Sequence, residues 1–375
     1  MNERVFLSPP HQTGKELELI KQVLESNYVA PIGPMITAFE EAFCRYTGFA
    51  HAAAVSSGTA ALHLALNVLG IGKGDAVWAS DLTFIGGVAP IVQQQASLVL
   101  IDSEAQFYTI DPALVAQALV DAKKRNALPK AIVVTDIYGQ CVDYKAIRKL
   151  CDEYDVFLIA DCAESLGSRY GVEHSGLDAD IAIFSFNGNK IITSSGGGML
   201  ASDNKEWVER ARYFSTQARQ PSVHYEHTEL GFNYRMSNVV AAIGVAQLEA
   251  IDARVDARRA VREDYIKELR KIPYISFMGE RPDTRMNAWL SVIMLDAKAP
   301  VTPEQIRVAL EKHNIESRPT WKPMHQQPVF KNVPYIGGHV SANIFTHGLC
   351  LPSGSAMTRQ TQDRIISIIH DTCPA

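Results

Sequence analysis

The chain has 375 residues, of which 47% are hydrophobic and 21% are charged, and its formal net charge is -5. The apolar fraction argues against a disordered or fibrous chain, and the mildly acidic balance offers no positive surface for nucleic acid or an anionic membrane. A chain of this length exceeds one small hydrophobic core, so we expect a large domain and a smaller one.

Targeting and membrane signals are not evident in the sequence. No window has the roughly 20 apolar residues that a membrane span needs, and the first ten residues lack the apolar core of a secretory signal. The six cysteines form no CxxC pair, so free thiols in a reducing compartment are expected. We therefore expect a cytoplasmic protein with no membrane insertion and no nucleic-acid partner.

In the first half of the chain, short runs rich in Val, Ile and Leu alternate with helical patterns. The runs lie at residues 52–55, 76–79, 98–101, 131–134, 156–160 and 181–184. The helical patterns lie at residues 15–25, 60–69, 113–123 and 144–154, the last with Asp143 as its N-cap. Strands that alternate with helices predict an α/β fold with a mostly parallel sheet covered on both faces.

After residue 201 the pattern changes. A helix is predicted at 207–214, a polar loop at 217–229 and one long helix at 236–269. A second α/β unit then follows, with a strand at 289–294, a helix capped near Thr302, a strand at 315–318 and a final helix at 360–370. We expect an N-terminal segment and large domain at residues 1–245 and a small C-terminal domain at 246–375.

Several nucleotide and metal motifs are absent or weak. Gly70-Ile-Gly-Lys-Gly74 follows a predicted helix and opens none, so it indicates a helix end and turn rather than a dinucleotide site. No GxxxxGK[ST] motif and no paired-histidine zinc spacing occur in the sequence. We therefore expect neither a P-loop nor a metal.

Ser56-Ser-Gly-Thr-Ala60 lies between an apolar run and a predicted helix. Small residues and hydroxyls at a helix N-terminus leave backbone N–H groups free, and the helix dipole favours a phosphate there. The same residues would equally serve as an ordinary Ser/Thr N-cap. The segment is therefore a candidate phosphate site only in combination with other residues.

Two further candidates follow neighbouring predicted strands. Asp161 ends the run 156–160, with Glu164 soon after it, and ligands of open α/β sheets bind beyond the carboxyl ends of strands. Asp161 could instead cap a helix. Lys190 ends the loop Ser185-Phe-Asn-Gly-Asn-Lys190 after the next run. Lysine amines form Schiff bases with carbonyl compounds, although most loop lysines are surface charges.

Together, a phosphate site, a strand-end carboxylate and a loop lysine match pyridoxal phosphate. That cofactor needs a lysine for its aldehyde, a carboxylate for its ring nitrogen and an anion site for its phosphate. Phe84, in Asp81-Leu-Thr-Phe84, is a candidate to stack on the cofactor ring, and core packing is its alternative.

These segments resemble, in order and local sequence, the DegT/DnrJ/EryC1/StrS family of nucleotide-sugar aminotransferases, which have the fold-type I aminotransferase fold. The resemblance implies a pyridoxal phosphate enzyme that is a homodimer with shared active sites. The matching segments span most of the chain: Ser56-Ser-Gly-Thr-Ala-Ala-Leu-His-Leu-Ala-Leu66, Asp81-Leu-Thr-Phe84, Asp161-Cys-Ala-Glu164, Ser185-Phe-Asn-Gly-Asn-Lys190, Gly231-Phe-Asn-Tyr-Arg-Met-Ser-Asn238 and Pro323-Met-His325.

The resemblance implies roles for three residues at the cofactor ring. Lys190 would bond covalently to the cofactor and move protons, and Asp161 would hold the pyridinium nitrogen. Glu164 would lie near the phenolic oxygen, where many relatives have Gln or His. Lysine at position 190 disfavours the dehydratase branch, which has histidine there.

The resemblance also implies the residues around the cofactor phosphate, and the charge of three residues in the C-terminal unit makes them candidates for the sugar and its diphosphate. Asn233 would reach the phosphate bound by the neighbouring subunit, although a turn residue is its alternative. For Arg318, which suits phosphate oxygens, a surface ion pair is the alternative. The implied phosphate-binding residues are Gly58, Thr59 and Ser185, and the candidates for the sugar and its diphosphate are Arg318, Lys322 and His325.

The chain departs from the family pattern at two places. Relatives often carry Gly-Glu-Gly-Gly where this chain has Ser195-Gly-Gly-Gly198, and many have His or Tyr in place of Asn187. The string Ser-Phe-Asn-Gly-Asn-Lys followed by Ile-Ile-Thr is most similar to the branch that aminates C4 of UDP-4-keto-6-deoxy-N-acetylglucosamine on the way to bacillosamine. The expected substrates are therefore L-glutamate and a UDP-linked 4-keto sugar.

Other functions remain open from the sequence. A 3-keto sugar or a dTDP- or GDP-linked sugar is an alternative substrate within the same family. A lyase or desulfurase would use the same cofactor, but a desulfurase needs a reactive cysteine, and Cys350 lies between leucines and is expected to be buried. A regulator or scaffold that keeps the fold without catalysis would need neither Lys190 nor Asp161.

Overall fold

The computed structural model describes residues 3–374. Among these residues, no helix is both long enough and apolar enough to cross a membrane. The helices are α1 (Glu16–Ser26), α2 (Pro34–Thr47), α3 (Gly58–Val68), α4 (Ala89–Gln93), α5 (Pro112–Lys124), α6 (Tyr144–Tyr154), α7 (Lys205–Ser215), α8 (Asn238–Leu248), α9 (Ile251–Leu269), α10 (Pro303–Lys312), α11 (Val340–His347) and α12 (Arg359–Thr372). The strands are β1 (His51–Val55), β2 (Ala76–Ser80), β3 (Ser97–Ile101), β4 (Ala131–Thr135), β5 (Phe157–Asp161), β6 (Arg169–Tyr170), β7 (Glu173–His174), β8 (Ile181–Ser185), β9 (Gly198–Ser202), β10 (Ile275–Phe277), β11 (Thr284–Arg285), β12 (Ser291–Leu295), β13 (Arg318–Pro319), β14 (Tyr335–Ile336) and β15 (Gly348–Leu351).

The large sheet has eight strands in the order β1-β9-β8-β5-β4-β2-β3-β14. The pairs from β8 to β14 are parallel, and β9 is antiparallel to both of its neighbours. The predicted α/β fold with a mostly parallel sheet is therefore confirmed. Because β9 lies between them and opposes both, β1 runs in the same direction as β8. The carboxyl ends of β1, β5 and β8 consequently meet at one edge.

Helices cover both faces of the large sheet because successive residues of a strand point to opposite faces. In β4, Ile132 and Val134 pack into a core that includes residues of α2, α5, α6 and α8. Ala131 and Val133 pack on the other face with residues of α3, α4 and α7. Both faces of β4 are buried, as expected for a strand that is almost entirely apolar.

The C-terminal part of the chain forms a smaller antiparallel sheet in the order β10-β12-β15-β13. Residues of α9, α10 and α12 pack against it in a separate apolar core. Two strands of this part lie outside that sheet. β14 pairs in parallel with β3 at the edge of the large sheet, and β11 pairs with β6 in a three-stranded antiparallel sheet that also contains β7. The division of the chain at residues 245 and 246 stays a prediction.

Two predicted elements differ from the structure. The single helix expected at 236–269 is wrong: α8 and α9 are separated at residues 249–250, where Ala250 N donates to Gln247 O at 3.1 Å. The apolar α8 packs against α1 and α2, whereas the charged α9 reaches the small sheet, so the chain bends between two different environments. The strand expected at 315–318 is reduced to β13, and Ile315 forms only an isolated bridge with Val5.

Candidate active site

A cavity of about 1170 Å³ lies at the edge where β1, β5 and β8 end. Its wall combines the N-terminal residues 6–10, loops of the large sheet, and residues of the C-terminal part. The C-terminal wall residues are Trp289, Leu290, Glu316, Arg318, Trp321, Lys322, Met324 and Gln327. Asn233 and His325 are not in this wall. The predicted site residues that line the cavity are Gly58, Thr59, Phe84, Asp161, Glu164, Ser185, Lys190, Arg318 and Lys322.

Helix α3 begins at the cavity wall. Ser57 is its N-cap, because Ser57 Oγ accepts a hydrogen bond from Ala60 N at 3.0 Å. The amides of Gly58 and Thr59, in the first turn, have no acceptor within the helix and are free to bind an anion. A Cβ on Gly58 would lie 3.1 Å from Ser185 Cβ, so glycine lets the helix approach β8 closely. The Ser57 N-cap therefore does not prevent these two amides from binding an anion.

Asp161 is the last residue of β5 and is buried at the cavity wall. Its Oδ1 accepts a hydrogen bond from Ala163 N at 3.1 Å, and within residues 3–374 Oδ2 accepts none. A Cβ on Gly87 would lie 2.7 Å from that Oδ2, so the glycine leaves room for the carboxylate. Burial raises the pKa of Asp161 to about 7. No helix begins here, which makes the helix-cap alternative wrong.

Lys190 lies in the turn after β8, where its backbone N–H donates to Asn187 O at 3.0 Å. Its side chain is 11% exposed, so Lys190 is not a solvated surface charge. The amine Nζ is 3.6 Å from Glu164 Oε1 and 4.3 Å from the centre of the Trp289 ring. The amine is therefore held between a carboxylate and an aromatic face, which attract its cationic form.

Glu164 connects the lysine to both parts of the chain. Its Oε2 accepts a hydrogen bond from Tyr138 N at 2.7 Å, and its Oε1 accepts one from Trp321 Nε1 at 3.2 Å. Burial raises the pKa of Glu164 above its ordinary value, and the nearby charge of Lys190 acts in the opposite direction. Glu164 therefore positions the lysine, a backbone amide and an indole at once.

Phe84 and two cations lie on the exposed side of the cavity. Phe84 is 61% exposed, which excludes core packing and leaves its ring free to stack on a planar ligand. Arg318 Nη2 lies 2.7 Å from Glu316 Oε1, so the predicted surface ion pair does form, although Arg318 also lines the cavity. Lys322 lines the same cavity, and the two cations suit the oxygens of a diphosphate.

His325 lies outside the cavity wall, paired with buried Asp81. Its Nδ1 is 2.7 Å from Asp81 Oδ2, its backbone N donates to Asp81 Oδ1 at 2.8 Å, and its ring stacks on Tyr335. Burial raises the pKa of Asp81, which these hydrogen bonds oppose. In this chain His325 thus connects residues 322–326 to the loop after β2, and no direct contact with a ligand follows from its position.

Asn233 also lies away from the cavity of its own chain; it is exposed, in an extended segment before α8. Its Oδ1 accepts a hydrogen bond from Gln217 Nε2 at 3.0 Å, and its backbone bridges to Thr216. An exposed amide that serves no other part of its own site is compatible with a role at a second subunit.

Sequence reasoning missed several residues of the cavity wall. Trp289 and Trp321 lie against Lys190 and Glu164, and Ser8 belongs to the N-terminal residues 6–10 of the wall. These residues belong to no motif, and they reach the site only through long-range packing. The apolar segment 289–294 was visible in the sequence only as a strand.

The chemistry of the cavity fits pyridoxal phosphate. The free amides of α3 and the Ser185 hydroxyl can bind its phosphate, and Asp161 offers an unused carboxylate oxygen to its ring nitrogen. Lys190 presents a primary amine to its aldehyde. Within residues 3–374, no group of three or more His, Cys, Asp or Glu side chains is arranged to hold a metal ion.

Comparisons with known proteins agree with this chemistry. The model of the DegT/DnrJ/EryC1/StrS aminotransferase family matches residues 10–370. The chain is 43% identical, over 98% of its length and 96% of the relative, to a putative pyridoxal phosphate-dependent aminotransferase, EpsN, of Bacillus subtilis (strain 168). It is 35% identical, over 92% of each chain, to the GDP-perosamine synthase of Vibrio cholerae.

The fold also matches a solved structure. Helicobacter pylori PseC, an aminotransferase involved in the biosynthesis of pseudoaminic acid, superposes with a TM-score of 0.91 at 21% identity, over 99% of each chain. The large sheet and the smaller C-terminal sheet are thus those of a known aminotransferase fold. The chain belongs to the DegT/DnrJ/EryC1/StrS aminotransferase family and is an enzyme that uses pyridoxal phosphate.

Proposed function

We propose that the protein transfers an amino group from L-glutamate to the 4-keto carbon of UDP-4-keto-6-deoxy-N-acetylglucosamine in glycan biosynthesis. The observation that carries the proposal is that Lys190, Asp161 and the start of α3 line one cavity, together with Arg318 and Lys322. Groups that suit pyridoxal phosphate thereby lie next to two cations that suit a nucleotide diphosphate. A carbonyl compound without a diphosphate would have no group for these two cations to bind.

The residues of the large sheet hold the cofactor. Pyridoxal phosphate, when bound, supplies an electron sink that lets an amino group pass from one carbon skeleton to another. The amides of Gly58 and Thr59 and the hydroxyl of Ser185 bind its phosphate. Asp161 would accept a hydrogen bond from the ring nitrogen and keep that nitrogen cationic, and Phe84 would be available to stack on the ring.

Lys190 moves the protons. Its Nζ removes a proton from the α-carbon of L-glutamate in the first half-reaction, and in the second it returns a proton to the sugar carbon that receives the amine. The Glu164 carboxylate, 3.6 Å away, holds the protonated amine in the cavity between these steps. The low exposure of the lysine side chain limits proton exchange with water.

The second subunit completes the site in this proposal. Asn233 is exposed and lies outside the cavity of its own chain. In a homodimer with shared sites, its amide donates to the phosphate bound by the neighbouring subunit. Both the dimer and this contact are part of the proposal, and the support for them is the placement of Asn233 and the family resemblance.

A GDP-linked 4-keto-6-deoxy sugar is the second candidate substrate. It is favoured by the 35% identity to a GDP-perosamine synthase. The UDP-linked sugar is favoured by the segment from Ser185 to Thr193, which is most similar to the branch that aminates UDP-4-keto-6-deoxy-N-acetylglucosamine. The two candidates share the cofactor, the donor and the reaction, and they differ in the base and the sugar.

Initial rates with L-glutamate and each keto sugar test the proposal. We expect kcat/KM for the UDP-linked sugar to exceed that for the GDP-linked sugar by roughly 10-fold or more, a margin that unpaired polar groups at a base can produce. The opposite ratio would replace the first candidate by the second. Lys190→Ala should give no product, and Lys205→Ala, an exposed lysine on α7, is the matched control. Turnover by Lys190→Ala, or no amino sugar from either substrate, would contradict the proposal.

A further inference from the structure

Two side chains from distant parts of the chain bind one backbone carbonyl next to Lys190. Asn189 O, in the peptide bond that joins Asn189 to Lys190, accepts hydrogen bonds from Ser8 Oγ at 2.6 Å and Trp289 Nε1 at 2.7 Å. These two donors occupy both acceptor positions of the carbonyl. Because a peptide bond is planar, fixing this carbonyl also fixes the N–H and Cα of Lys190.

Both donors are in turn held by one buried guanidinium, that of Arg258 on α9. Arg258 Nη2 donates to Ser8 Oγ at 3.0 Å, and Arg258 Nη1 donates to Trp289 O at 2.6 Å and to Ser353 O at 3.1 Å. Arg258 is 1% exposed, and its Nε has no hydrogen-bond partner among the described residues. Within residues 3–374 no carboxylate lies at ion-pair distance from it, so its charge is compensated by neutral oxygens alone.

A buried arginine without an anionic partner destabilises the folded state. A buried cation without an anionic partner costs free energy, and burial lowers the pKa of Arg258 to about 9. At neutral pH the residue is still charged. A shorter apolar side chain such as methionine would avoid that cost, so burial of apolar surface does not by itself account for an arginine here.

The charge also decides the direction of the Ser8 hydrogen bond. A guanidinium has donors and no acceptor, so Ser8 Oγ can only accept from Arg258 and must direct its own proton to Asn189 O. Charge-assisted hydrogen bonds are shorter and stronger than neutral ones. Arg258 therefore orients the Ser8 hydroxyl and, through the backbone of Trp289, the indole whose face lies 4.3 Å from Lys190 Nζ.

We propose that Arg258 is a positioning residue for Lys190, acting through Ser8 and Trp289 on the carbonyl of Asn189. The inference rests on the proposed role of Lys190. It adds a second part to the active site, in which the N-terminal segment and the C-terminal part of the chain hold the lysine turn from outside the large sheet.

A purely structural role of Arg258 is the alternative, and the chain offers a matched control for it. Arg262 lies one turn later on α9 and is also largely buried, and burial lowers its pKa too. Its Nη2 donates to Met278 O at 2.8 Å, and it has no hydrogen bond to Ser8, Asn189 or Trp289. Arg262 Nη1 also lies 3.9 Å from Glu280 Oε2. Arg262→Met therefore removes a largely buried guanidinium that has an anionic neighbour, without touching the lysine turn.

The test follows the covalent capture of pyridoxal phosphate by cofactor-free protein. In this reaction the Lys190 amine condenses with the aldehyde and releases one water, and borohydride followed by mass measurement quantifies the product. We expect Ser8→Ala and Arg258→Met each to slow capture by roughly 10-fold, because small displacements of reacting groups cost rates of this order. Ser8→Thr, which keeps the hydroxyl, and Arg262→Met should stay within about two-fold of the wild type.

Two further comparisons distinguish a positioning role of Arg258 from a general loss of stability. Arg258 acts in part through Ser8. The slowing of capture in the double variant Ser8→Ala/Arg258→Met should therefore be smaller than the product of the slowing in the two single variants. Thermal unfolding of the cofactor-free proteins should show that Arg262→Met loses stability without the loss in capture rate. If Arg258→Met does not fold, the pair Ser8→Ala and Ser8→Thr decides.

Capture by Ser8→Ala at the wild-type rate would overturn the inference, and so would equal slowing in Arg258→Met and Arg262→Met. A wrong role for Lys190 would give a different result: Lys190→Ala would still capture the cofactor covalently. If Lys190→Ala captures no cofactor and Ser8→Ala captures it at the wild-type rate, only the positioning role is rejected.

Discussion

The amine of Lys190 lies 3.6 Å from the carboxylate of Glu164, and that carboxylate also accepts hydrogen bonds from two N–H groups of other elements. Glu164 therefore cannot be removed without leaving buried donors unpaired. The family resemblance places Gln or His here in many relatives. A neutral amide at this position should accordingly be tolerated better than a truncation.

We expect Glu164→Ala to lower the free energy of unfolding of the cofactor-free protein by about 2 kcal/mol or more, because Tyr138 N and Trp321 Nε1 lose their acceptor. Glu164→Gln keeps one acceptor oxygen and should lose about half as much. Urea unfolding monitored by tryptophan fluorescence measures both. Equal stability of the two variants would show that these hydrogen bonds do not stabilise the fold.

The stability of the cofactor-free protein should depend on pH through Asp161. Burial raises its pKa to about 7 in the folded chain, whereas an unfolded aspartate titrates near about 3.9. Between these values only the folded state holds the proton, so the stabilising contribution is complete below about pH 4 and is lost as the pH rises to about 7.

Asp161→Asn has no such proton to lose. Without cofactor, the variant should be more stable than the wild type at pH 8, by up to roughly 4 kcal/mol, and the difference should vanish toward pH 4. Its kcat should fall by roughly 10²-fold, since the charge beside the ring nitrogen is gone. Urea unfolding from pH 4 to 8 and steady-state rates check the two parts. Parallel pH profiles of the two proteins would contradict the titration of Asp161 in this range.

The sequence makes both His325 and Arg318 candidates for the sugar and its diphosphate. We expect substitutions of the two residues to have different effects. His325 pairs with buried Asp81 outside the cavity wall, so His325→Ala should lower the free energy of unfolding by roughly 1–3 kcal/mol and leave KM for the keto sugar nearly unchanged. Arg318→Ala should raise that KM and leave stability nearly unchanged, because the Arg318 side chain is 63% exposed and solvent screens its ion pair with Glu316. A raised KM in His325→Ala, at unaltered stability, would return His325 to the substrate site.

Mixed dimers test the shared site. Lys190→Ala and Asn233→Asp should each be inactive as homodimers, the second because a carboxylate repels the phosphate. After subunit exchange, a mixed dimer has one site with both unmutated residues and should regain activity if Asn233 acts on the neighbouring subunit. Exchange verified by mass, with no activity regained, would show that Asn233 serves its own chain.

The sequence predicts the part of the site that lies on the large sheet, for a physical reason. Parallel strands end at one edge, so residues that follow separate strands, such as Gly58, Asp161 and Lys190, converge without any knowledge of side-chain packing. The N-terminus of α3 and the buried strands before it are likewise encoded by local patterns of small and apolar residues.

The other wall of the cavity could not be predicted in this way. Ser8 meets Asn189 across 181 residues of sequence, and Trp289 meets it across 100. No periodicity relates such positions, because their contact depends on how the small sheet packs against the large one. The same holds for β14, a two-residue strand from the C-terminal part that completes the large sheet. The strand-end rule also gives no indication that His325 pairs with Asp81 and lies outside the cavity wall.

The central claim is that Lys190 is the residue that holds pyridoxal phosphate. The most direct measurement is borohydride reduction of the purified holoenzyme, followed by proteolysis and mass mapping of the modified peptide. We predict one modified residue, Lys190, in the peptide that contains Asn187 and Asn189, and no modification in Lys190→Ala. A reduced cofactor on a different lysine, or its retention in Lys190→Ala, would contradict the account.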